Sequence, residues 1–278
     1  MPYGDKIATG SFDSTAKLWN TNSGEMISTY RGHKAEIVCL GFDPLSFFMV
    51  TGSMDKTAIL WNLENAQPVL KIEDHVGEII NISFNTDGDK ILTGSFDFTA
   101  KVWDCNTGEM ICNLNEHKAE LSSCQFSYSG NYIVTASIDK TCKLWDIRNA
   151  SKSLATFSGH KDEILDCSFN LTGTKIATAS SDGTAKIYNV KTLQNEYTLT
   201  GHDAEVSKVI FNSRGNLLVS ASSDKTARLW DVDTGQCKQI LEGHKEEIFS
   251  CAFNYEGNTL ITASKDNTCR VWKDIDIC

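Results

Sequence analysis

Several features that often reveal function are scarce or missing from this sequence. Its 278 residues include only three prolines. The N-terminal segment has no apolar run of signal-peptide length, and no stretch approaches the roughly 20 apolar residues of a membrane-spanning helix. Basic residues are also few. The sequence has 26 Lys and Arg against 36 Asp and Glu, which gives a net charge of -10. The acidic net charge argues against nucleic acid and anionic membranes as partners, and basic proteins are the better candidates. The absence of a signal peptide or membrane helix leads us to expect a cytosolic or nuclear location.

Recognisable catalytic and metal-binding motifs are missing as well. There is no nucleophile elbow, P-loop, dinucleotide fingerprint, zinc-protease helix or calcium loop. The ten cysteines include no C-x-x-C pair. Free thiols packed as small hydrophobes in a reducing compartment account for them better than zinc or disulfides do. We expect no enzyme activity, cofactor, metal or small-molecule substrate. The cysteines that fall in predicted strands are Cys39, Cys124, Cys142, Cys167, Cys251 and Cys269.

An internal repeat dominates the chain. The segment at 10–19, Gly-Ser-Phe-Asp-Ser-Thr-Ala-Lys-Leu-Trp, recurs at 52–61, 94–103 and 136–145, and three later copies follow. A turn aspartate recurs every 42 residues with one step of 43, at Asp13, Asp55, Asp97, Asp139, Asp182, Asp224 and Asp266. A period of 40 to 45 with Gly-His and Trp-Asp elements is typical of WD repeats. The sequence thus resembles the WD-repeat proteins over its whole length, which implies an all-β propeller with seven WD motifs.

We treat residues 1–278 as one propeller domain, since a single all-β domain of this length is ordinary. The seven repeat copies are expected at about 1–30, 31–72, 73–114, 115–157, 158–199, 200–241 and 242–278.

Within each copy, short strands alternate with turns. Strands are predicted at 37–42, 90–95, 99–103 and 109–114 from their alternating apolar residues. Glycines precede the second strand of five copies, where a positive φ is expected: Gly88, Gly130, Gly173, Gly215 and Gly257. The second copy departs from this pattern with Asp43-Pro44-Leu45-Ser46.

The histidines and tryptophans each occupy a single position of the repeat. The resemblance to WD-repeat proteins implies that they join the turn Asp and a strand Ser or Thr in a hydrogen-bonded tetrad. Buried imidazole and indole N–H groups need such partners, so a catalytic or metal role is not expected for any histidine. The predicted tetrad members are His33, Asp55 and Trp61; His75, Asp97 and Trp103; His117, Asp139 and Trp145; His160, Asp182 and Tyr188; His202, Asp224 and Trp230; and His244, Asp266 and Trp272.

The two ends of the chain do not complete a ring of four-stranded blades. Residues 4–7 align with residues 88–91, in the middle of a hairpin, so the first copy lacks its inner strand. At the other end only residues 273–278 remain for a fourth strand. About 26 strands are expected where 28 would close seven blades. Either the ring tolerates an open seam, or the chain is a shortened form of a longer propeller, which we favour.

A glutamate lies three residues after each histidine. In an antiparallel blade the His loop and the Asp turn share one end, so these glutamates could form an acidic mouth that attracts Lys or Arg of a partner. The alternative is that each one faces solvent and bonds a neighbouring Lys or backbone N–H. They are Glu36, Glu78, Glu120, Glu163, Glu205 and Glu247.

Large apolar residues precede the turn Asp in the first four copies. Phe12, Met54, Phe96 and Ile138 occupy this position, whereas Ser181, Ser223 and Lys265 follow in the last three. The four apolar residues predict an interaction patch. The alternative is that they fold down into the blades as packing.

Four runs are more specific than the generic repeat. Those at 4–13, 32–40, 162–166 and 247–255, with the recurrent Glu, resemble the dynein assembly factors with WD repeat domains, also called outer row dynein assembly proteins. The likeness extends from Pro2 to about Trp272. It implies an adaptor that links outer-arm axonemal dynein to the intraflagellar transport train, located in the cytoplasm and at the cilium, basal body or axoneme.

The family has an N-terminal segment and further blades that precede the point where this sequence starts. Rival expectations are a lissencephaly-type regulator of cytoplasmic dynein, another scaffold such as a ubiquitin-ligase substrate receptor, and an enzyme built on a propeller.

Overall fold

The computed structural model describes residues 5–273 of the chain. In this range the chain forms 26 β-strands and one short 3₁₀ helix, Ile147–Asn149, and no helix of this part is long and apolar enough to cross a membrane. The strands of successive repeats are β1 (Lys6–Gly10), β2 (Thr15–Asn20) and β3 (Met26–Arg31); β4 (Ile37–Phe42), β5 (Phe48–Ser53), β6 (Ala58–Asn62) and β7 (Pro68–Ile72); β8 (Ile79–Phe84), β9 (Lys90–Ser95), β10 (Ala100–Asp104) and β11 (Met110–Leu114); β12 (Leu121–Phe126), β13 (Tyr132–Ser137), β14 (Cys142–Asp146) and β15 (Ala155–Phe157); β16 (Ile164–Phe169), β17 (Lys175–Ser180), β18 (Ala185–Asn189) and β19 (Asn195–Leu199); β20 (Val206–Phe211), β21 (Leu217–Ser222), β22 (Ala227–Asp231) and β23 (Cys237–Leu241); and β24 (Ile248–Phe253), β25 (Thr259–Ser264) and β26 (Cys269–Lys273).

The strands belong to two compact units. The first comprises residues up to Phe126 together with Asp146–Lys152, and it holds the sheets β1-β2-β3, β4-β5-β6-β7 and β8-β9-β10-β11, as well as β12. The second comprises Ser127–Trp145 and the residues from Ser153 onward, and it holds the sheets of the fifth, sixth and seventh repeats. Strand β12 of the fourth repeat falls in the first unit, whereas β13 and β15 fall in the second.

In the sheets β4-β5-β6-β7 and β8-β9-β10-β11 the strands form an antiparallel meander, and the outer strand is the most exposed. In the third repeat, Ile91 of β9 pairs with both Phe84 of β8 and Trp103 of β10. The five residues of β9 after Lys90 are buried, whereas Met110 and Ile111 of β11 are exposed. Hydrogen bonds satisfy the backbone of the middle strands on both edges, which allows apolar sequences such as Lys-Ile-Leu-Thr-Gly-Ser to be buried there.

Two kinds of contact form the core of the first unit. Within a sheet the middle strands carry apolar residues, and between sheets these residues pack together, as Val50 and Leu60 do with Ile79 and Ile91. Each fully buried aliphatic side chain of this kind contributes roughly 1.5–3 kcal/mol. Neighbouring sheets approach closely at Gly52, where an added Cβ would lie 2.8 Å from Ile79 Cγ2.

The hairpin turns behave as the glycine pattern predicts. The glycines before the second strands have φ between 67° and 76° (Gly88, Gly130, Gly173, Gly215 and Gly257), which confirms the expectation of a positive φ. In the departing second copy, Ser46 adopts the same conformation, with φ of 60°. The predicted strands at 99–103 and 109–114 begin one residue too early, because Thr99 and Glu109 belong to turns.

The two terminal sheets have three described strands each. The first is β1-β2-β3, so within the described residues the first copy lacks an inner strand, as predicted. Ile7 is consequently 53% exposed, whereas Ile91 at the same repeat position is fully buried. The last sheet is β24-β25-β26, and any fourth strand after Lys273 lies outside the described residues.

Candidate protein-binding surface

The His loop and the Asp turn of each repeat lie at the same end of a sheet. In the second repeat, β4 begins directly after Glu36, and β5 runs back to end at Ser53, beside the point where β4 started. The Met54 N–H then donates to the Glu36 carbonyl at 2.9 Å. The residue before the turn Asp and the residue before the inner strand are therefore neighbours.

A chain of buried hydrogen bonds holds this arrangement in the third repeat. The His75 Nδ1 lies 2.7 Å from Asp97 Oδ2 and its Nε2 lies 2.8 Å from Thr93 Oγ1. The Trp103 indole N–H donates to the same Thr93 oxygen at 2.9 Å. The imidazole is fully buried. The other complete sets of this kind are His33, Asp55, Thr51 and Trp61; His202, Asp224, Ser220 and Trp230; and His244, Asp266, Thr262 and Trp272.

Contacts of the same kind occur in two further repeats. In the fourth, the Trp145 indole donates to Thr135 at 2.9 Å; His117 is buried in the first unit, and Asp139 belongs to the second. In the first, the Trp19 indole donates to Thr9 at 2.9 Å.

The fifth repeat departs from the pattern because Tyr188 replaces Trp. His160 still bonds Asp182 and Thr178, at 2.9 and 2.8 Å. The Tyr188 ring packs against Phe157 with centroids 4.7 Å apart. Its hydroxyl is buried with no hydrogen-bond partner among the described residues.

The hydrogen-bond roles fit a neutral imidazole. The indole donates to the hydroxyl, the hydroxyl can donate to Nε2, and Nδ1–H can donate to the carboxylate. Burial lowers the pKa of His160, against the opposing effect of Asp182. For Asp182 burial opposes ionisation, but hydrogen bonds from Thr184, the Lys161 N–H and His160 outweigh it and lower the pKa to about 2. The pair is a neutral histidine beside a carboxylate at neutral pH.

The aspartate also ties the turn to the His loop. Asp97 accepts from the Thr99 N–H and hydroxyl through Oδ1 and from the Val76 N–H through Oδ2. The residue between Asp and Thr is held at a positive φ in every repeat. The seven residues at this turn position are Ser14, Lys56, Phe98, Lys140, Gly183, Lys225 and Asn267.

The six predicted glutamates are not equivalent. Glu205 accepts from the Ser223 hydroxyl at 3.0 Å, and Glu247 forms an ion pair with Lys265 at 3.3 Å. These two repeats match the alternative in which the glutamate bonds a neighbouring side chain. In contrast, Glu36 and Glu78 are half-buried residues whose carboxylates form no hydrogen bond or ion pair in the described part of the chain.

The remaining two glutamates, Glu120 and Glu163, are also half-buried, and their carboxylates likewise form no hydrogen bond or ion pair in the described part of the chain. Glu163 repeats the main-chain contact, because its carbonyl accepts from the Ser181 N–H at 2.9 Å.

The predicted apolar residues differ in exposure. Phe12 is 83% exposed and Phe96 is 37% exposed, whereas Met54 and Ile138 are half-buried. Phe12 lines an open groove of about 330 Å³ together with Gly10, Ile37 and Val38. Phe12 and Phe96 therefore do not fold down into the sheets as packing.

Two exposed apolar residues on this surface were missed by the sequence analysis. Val76, next to His75, is 77% exposed, and Phe98 is 40% exposed with φ of 72°. A comparison of aligned repeat positions could have found both. The residues aligned with Val76 are Lys34, Lys118, Lys161, Asp203 and Lys245.

No metal or thiol chemistry is evident on residues 5–273. No group of three His, Cys, Asp or Glu residues converges there. The cysteines of this range are free, and burial raises the pKa of Cys39, Cys105 and Cys251 to about 12. Such thiols are poor nucleophiles at neutral pH.

Comparison with known proteins agrees with this architecture. The WD40 family model (WD domain, G-beta repeat) matches residues 1–20, 24–62, 66–104, 108–146, 151–189, 193–231 and 235–273. A stretch of 38 residues is 42% identical to WD40 repeat-containing protein HOS15 of Arabidopsis thaliana, and it covers 14% of this chain and only 6% of that protein. The prediction of an all-β, seven-bladed propeller with seven WD motifs is confirmed. Neither match supports the resemblance to dynein assembly factors.

The buried His–Asp pairs predict that acid destabilises the fold. The pKa values of His33, His160 and His202 lie below their ordinary 6.5, and that of Asp55 lies below its ordinary 3.8. The unfolded chain therefore binds more protons, and each affected histidine lowers the unfolding free energy by at most about 1.4 kcal/mol per pH unit below 6.5. Urea titrations between about pH 7 and pH 5 measure this; a midpoint that rises on acidification contradicts it.

Tyr188 stands where the other repeats have Trp, so substitutions at Trp103 and Tyr188 compare a bonded ring with an unbonded one. Trp103→Phe removes an indole bond and core volume, so we expect a loss of about 2–3 kcal/mol of unfolding free energy. Tyr188→Phe removes a buried hydroxyl without a partner, so we expect a change within about 0.5 kcal/mol or a gain. Urea unfolding of both variants measures these free energies. Equal losses would contradict the difference between a bonded indole at Trp103 and an unbonded hydroxyl at Tyr188.

Proposed function

Because the chain belongs to the WD40 family of G-beta repeat proteins, we propose that it is a non-catalytic scaffold that binds other proteins through its His-loop and Asp-turn surfaces. The fold suits protein–protein scaffolding, since it presents many turn residues on rigid sheets. The buried tetrads occupy the histidines, so the exposed residues around them are left to contact partners.

The unpaired carboxylates of Glu36 and Glu78 carry this proposal. Both are half-buried and lie beside turns that present Met54 and Phe96. A carboxylate without a hydrogen bond or ion pair in its own chain is available to a Lys or Arg from another protein, which would form a charge-assisted hydrogen bond with it. At the same repeat position, the carboxylate of Glu205 accepts a hydrogen bond from Ser223, and that of Glu247 forms an ion pair with Lys265.

The finer proposal concerns the partners. We propose an adaptor that links outer-arm axonemal dynein to intraflagellar transport, in the cytoplasm and at the cilium. Its support is the set of specific runs at 4–13, 32–40, 162–166 and 247–255 and the recurrent glutamate. The net charge of -10 favours basic surfaces on those partners.

Affinity purification from ciliated cells, followed by mass spectrometry, tests both levels. The test protein carries Glu36→Lys and Glu78→Lys. The matched control carries Glu64→Lys and Glu109→Lys, which change the net charge equally in exposed loops at the opposite ends of the same two sheets. We expect wild type and control to recover outer-arm dynein or transport subunits, and the test protein to lose them.

The outcomes separate the two levels of the proposal. Recovery of cullin adaptors or cytoplasmic dynein, lost in the test protein, would retain the scaffold and refute the ciliary assignment. Equal recovery by test and control proteins would remove Glu36 and Glu78 from the binding surface.

Salt provides an independent check on the same carboxylates. If Glu36 and Glu78 contact cations of a partner, raising salt from about 50 mM to about 500 mM should weaken binding markedly, because the Debye length shrinks several-fold. Binding of a purified partner by biolayer interferometry measures the effect. Binding that is unchanged over this range would contradict a role for the carboxylates.

A further inference from the structure

We propose that the third repeat holds a docking site for an extended peptide segment in which a bulky apolar side chain lies next to a Lys or Arg. The apolar side chain packs on Val76, Phe96 and Phe98, here called the apolar turn patch, and the cation bonds Glu78. This inference rests on the proposed scaffold function and assigns one binding site and one ligand chemistry to it.

The apolar turn patch is specific to the third repeat. Val76 occupies a position at which lysine or aspartate stands in the other repeats that have a histidine, and it is 77% exposed. Phe98 occupies a turn position filled elsewhere by small, polar or charged residues, and it is 40% exposed. Exposed aromatic and aliphatic side chains that cluster at one point are typical anchors of protein interfaces.

The main chain brings the three patch residues together around one carboxylate. Asp97 lies between Phe96 and Phe98 in the chain and accepts from the Val76 N–H at 3.1 Å. Asp97 is in turn fixed by His75 at 2.7 Å. The patch is thus mounted on a rigid tetrad, which limits the entropy that a bound segment would cost.

The backbone geometry of the patch is not the most stable one available. Phe98 has φ of 72°, where a residue with a Cβ is strained, and the equivalent positions in two other repeats hold Gly183 and Asn267, which tolerate it better. An added Cβ at Gly77 would lie only 2.5 Å from the Asp97 backbone nitrogen. Because all seven repeats share this positive φ, Phe98 is distinguished by its exposed aromatic ring, which contact with a partner would explain.

The charges around the patch favour a Lys or Arg next to the apolar side chain of the ligand. The Phe96 N–H donates to the Glu78 carbonyl at 2.9 Å, so the two residues are adjacent through their main chains, and the Glu78 carboxylate has no partner among the described residues. Lys56 of the preceding repeat donates to the Val76 carbonyl at 2.8 Å, so its ammonium is held on the main chain of this loop. Val76 stands where other repeats have a lysine, so the loop itself carries one cation fewer to repel a basic ligand. An apolar residue with an adjoining cation complements both features.

Synthetic peptides test the site directly. The probe is a peptide of about eight residues, mostly Gly and Ser, with one Phe and one Arg two positions apart. Matched peptides replace its Phe with Ser or its Arg with Glu. Biolayer interferometry compares wild type with Val76→Lys/Phe98→Asn, whose new residues are those of the seventh repeat, Lys245 and Asn267. A second variant is Glu78→Gln.

We expect wild type to prefer the Phe–Arg peptide over both matched peptides, and the double variant to bind it at least about tenfold more weakly. Glu78→Gln should abolish the preference for Arg over Glu. A thermal melt serves as the folding control, because Phe98→Asn relieves backbone strain and should leave the midpoint equal or raise it by a few degrees. Equal binding by wild type and the double variant, or no peptide preference in wild type, overturns the proposal.

The cell-based purification distinguishes this inference from the broader function. If Val76→Lys/Phe98→Asn recovers the same partners as wild type while Glu36→Lys/Glu78→Lys loses them, the scaffold function stands and the apolar docking site is refuted.

Discussion

A buried imidazole has two ring nitrogens, and leaving either one unpaired costs more than a hydrogen bond gains. In this chain the Asp of the turn and the Ser or Thr of the second strand bond the two nitrogens, as Asp97 and Thr93 do for His75. The same aspartate accepts from the N–H of the residue after the histidine and from the Thr that ends the turn. One buried contact thereby fixes the loop before the inner strand, the turn after the second strand and the position of the third. The spacing of 22 residues between His and Asp recurs because each repeat must rebuild this contact.

Because the tetrad fixes the backbone, the residues around it are free to vary. The position between Asp and Thr keeps a positive φ whether it holds Gly183, Asn267, Lys56 or Phe98. The residue before Asp is likewise held by a main-chain bond to the glutamate carbonyl, whatever its side chain. A surface of this kind can acquire apolar or charged side chains at small cost to the fold, which is how one scaffold architecture serves unrelated partners.

The repeat sequence predicted the buried part of the molecule better than its surface. The roles of His, Asp and Trp follow from their shared register and from the need to satisfy buried N–H groups, and the glycine turns follow from φ. The state of each glutamate depended on a residue 18 positions later, Ser223 for Glu205 and Lys265 for Glu247, which only the folded hairpin brings near. Val76 and Phe98 were missed for a different reason. Each interrupts a column of mostly polar residues, and periodicity directs attention to what recurs rather than to what changes. The unbonded hydroxyl of Tyr188 likewise depends on ring placement that no repeat pattern contains.

Within the first unit, the features that suit binding coincide with those that reduce stability. Glu36 and Glu78 have carboxylates without partners among the described residues, Phe12 and Phe96 expose rings, and Phe98 holds a positive φ. In the sixth and seventh repeats the corresponding glutamates are bonded by Ser223 and Lys265, and in the fifth and seventh the turn position holds Gly183 and Asn267, although Lys225 of the sixth keeps the same positive φ as Phe98. Local choices that oppose the fold persist where they serve a contact that the isolated chain does not make. The surface around Glu36, Glu78 and Phe98 is therefore where we expect a partner to bind.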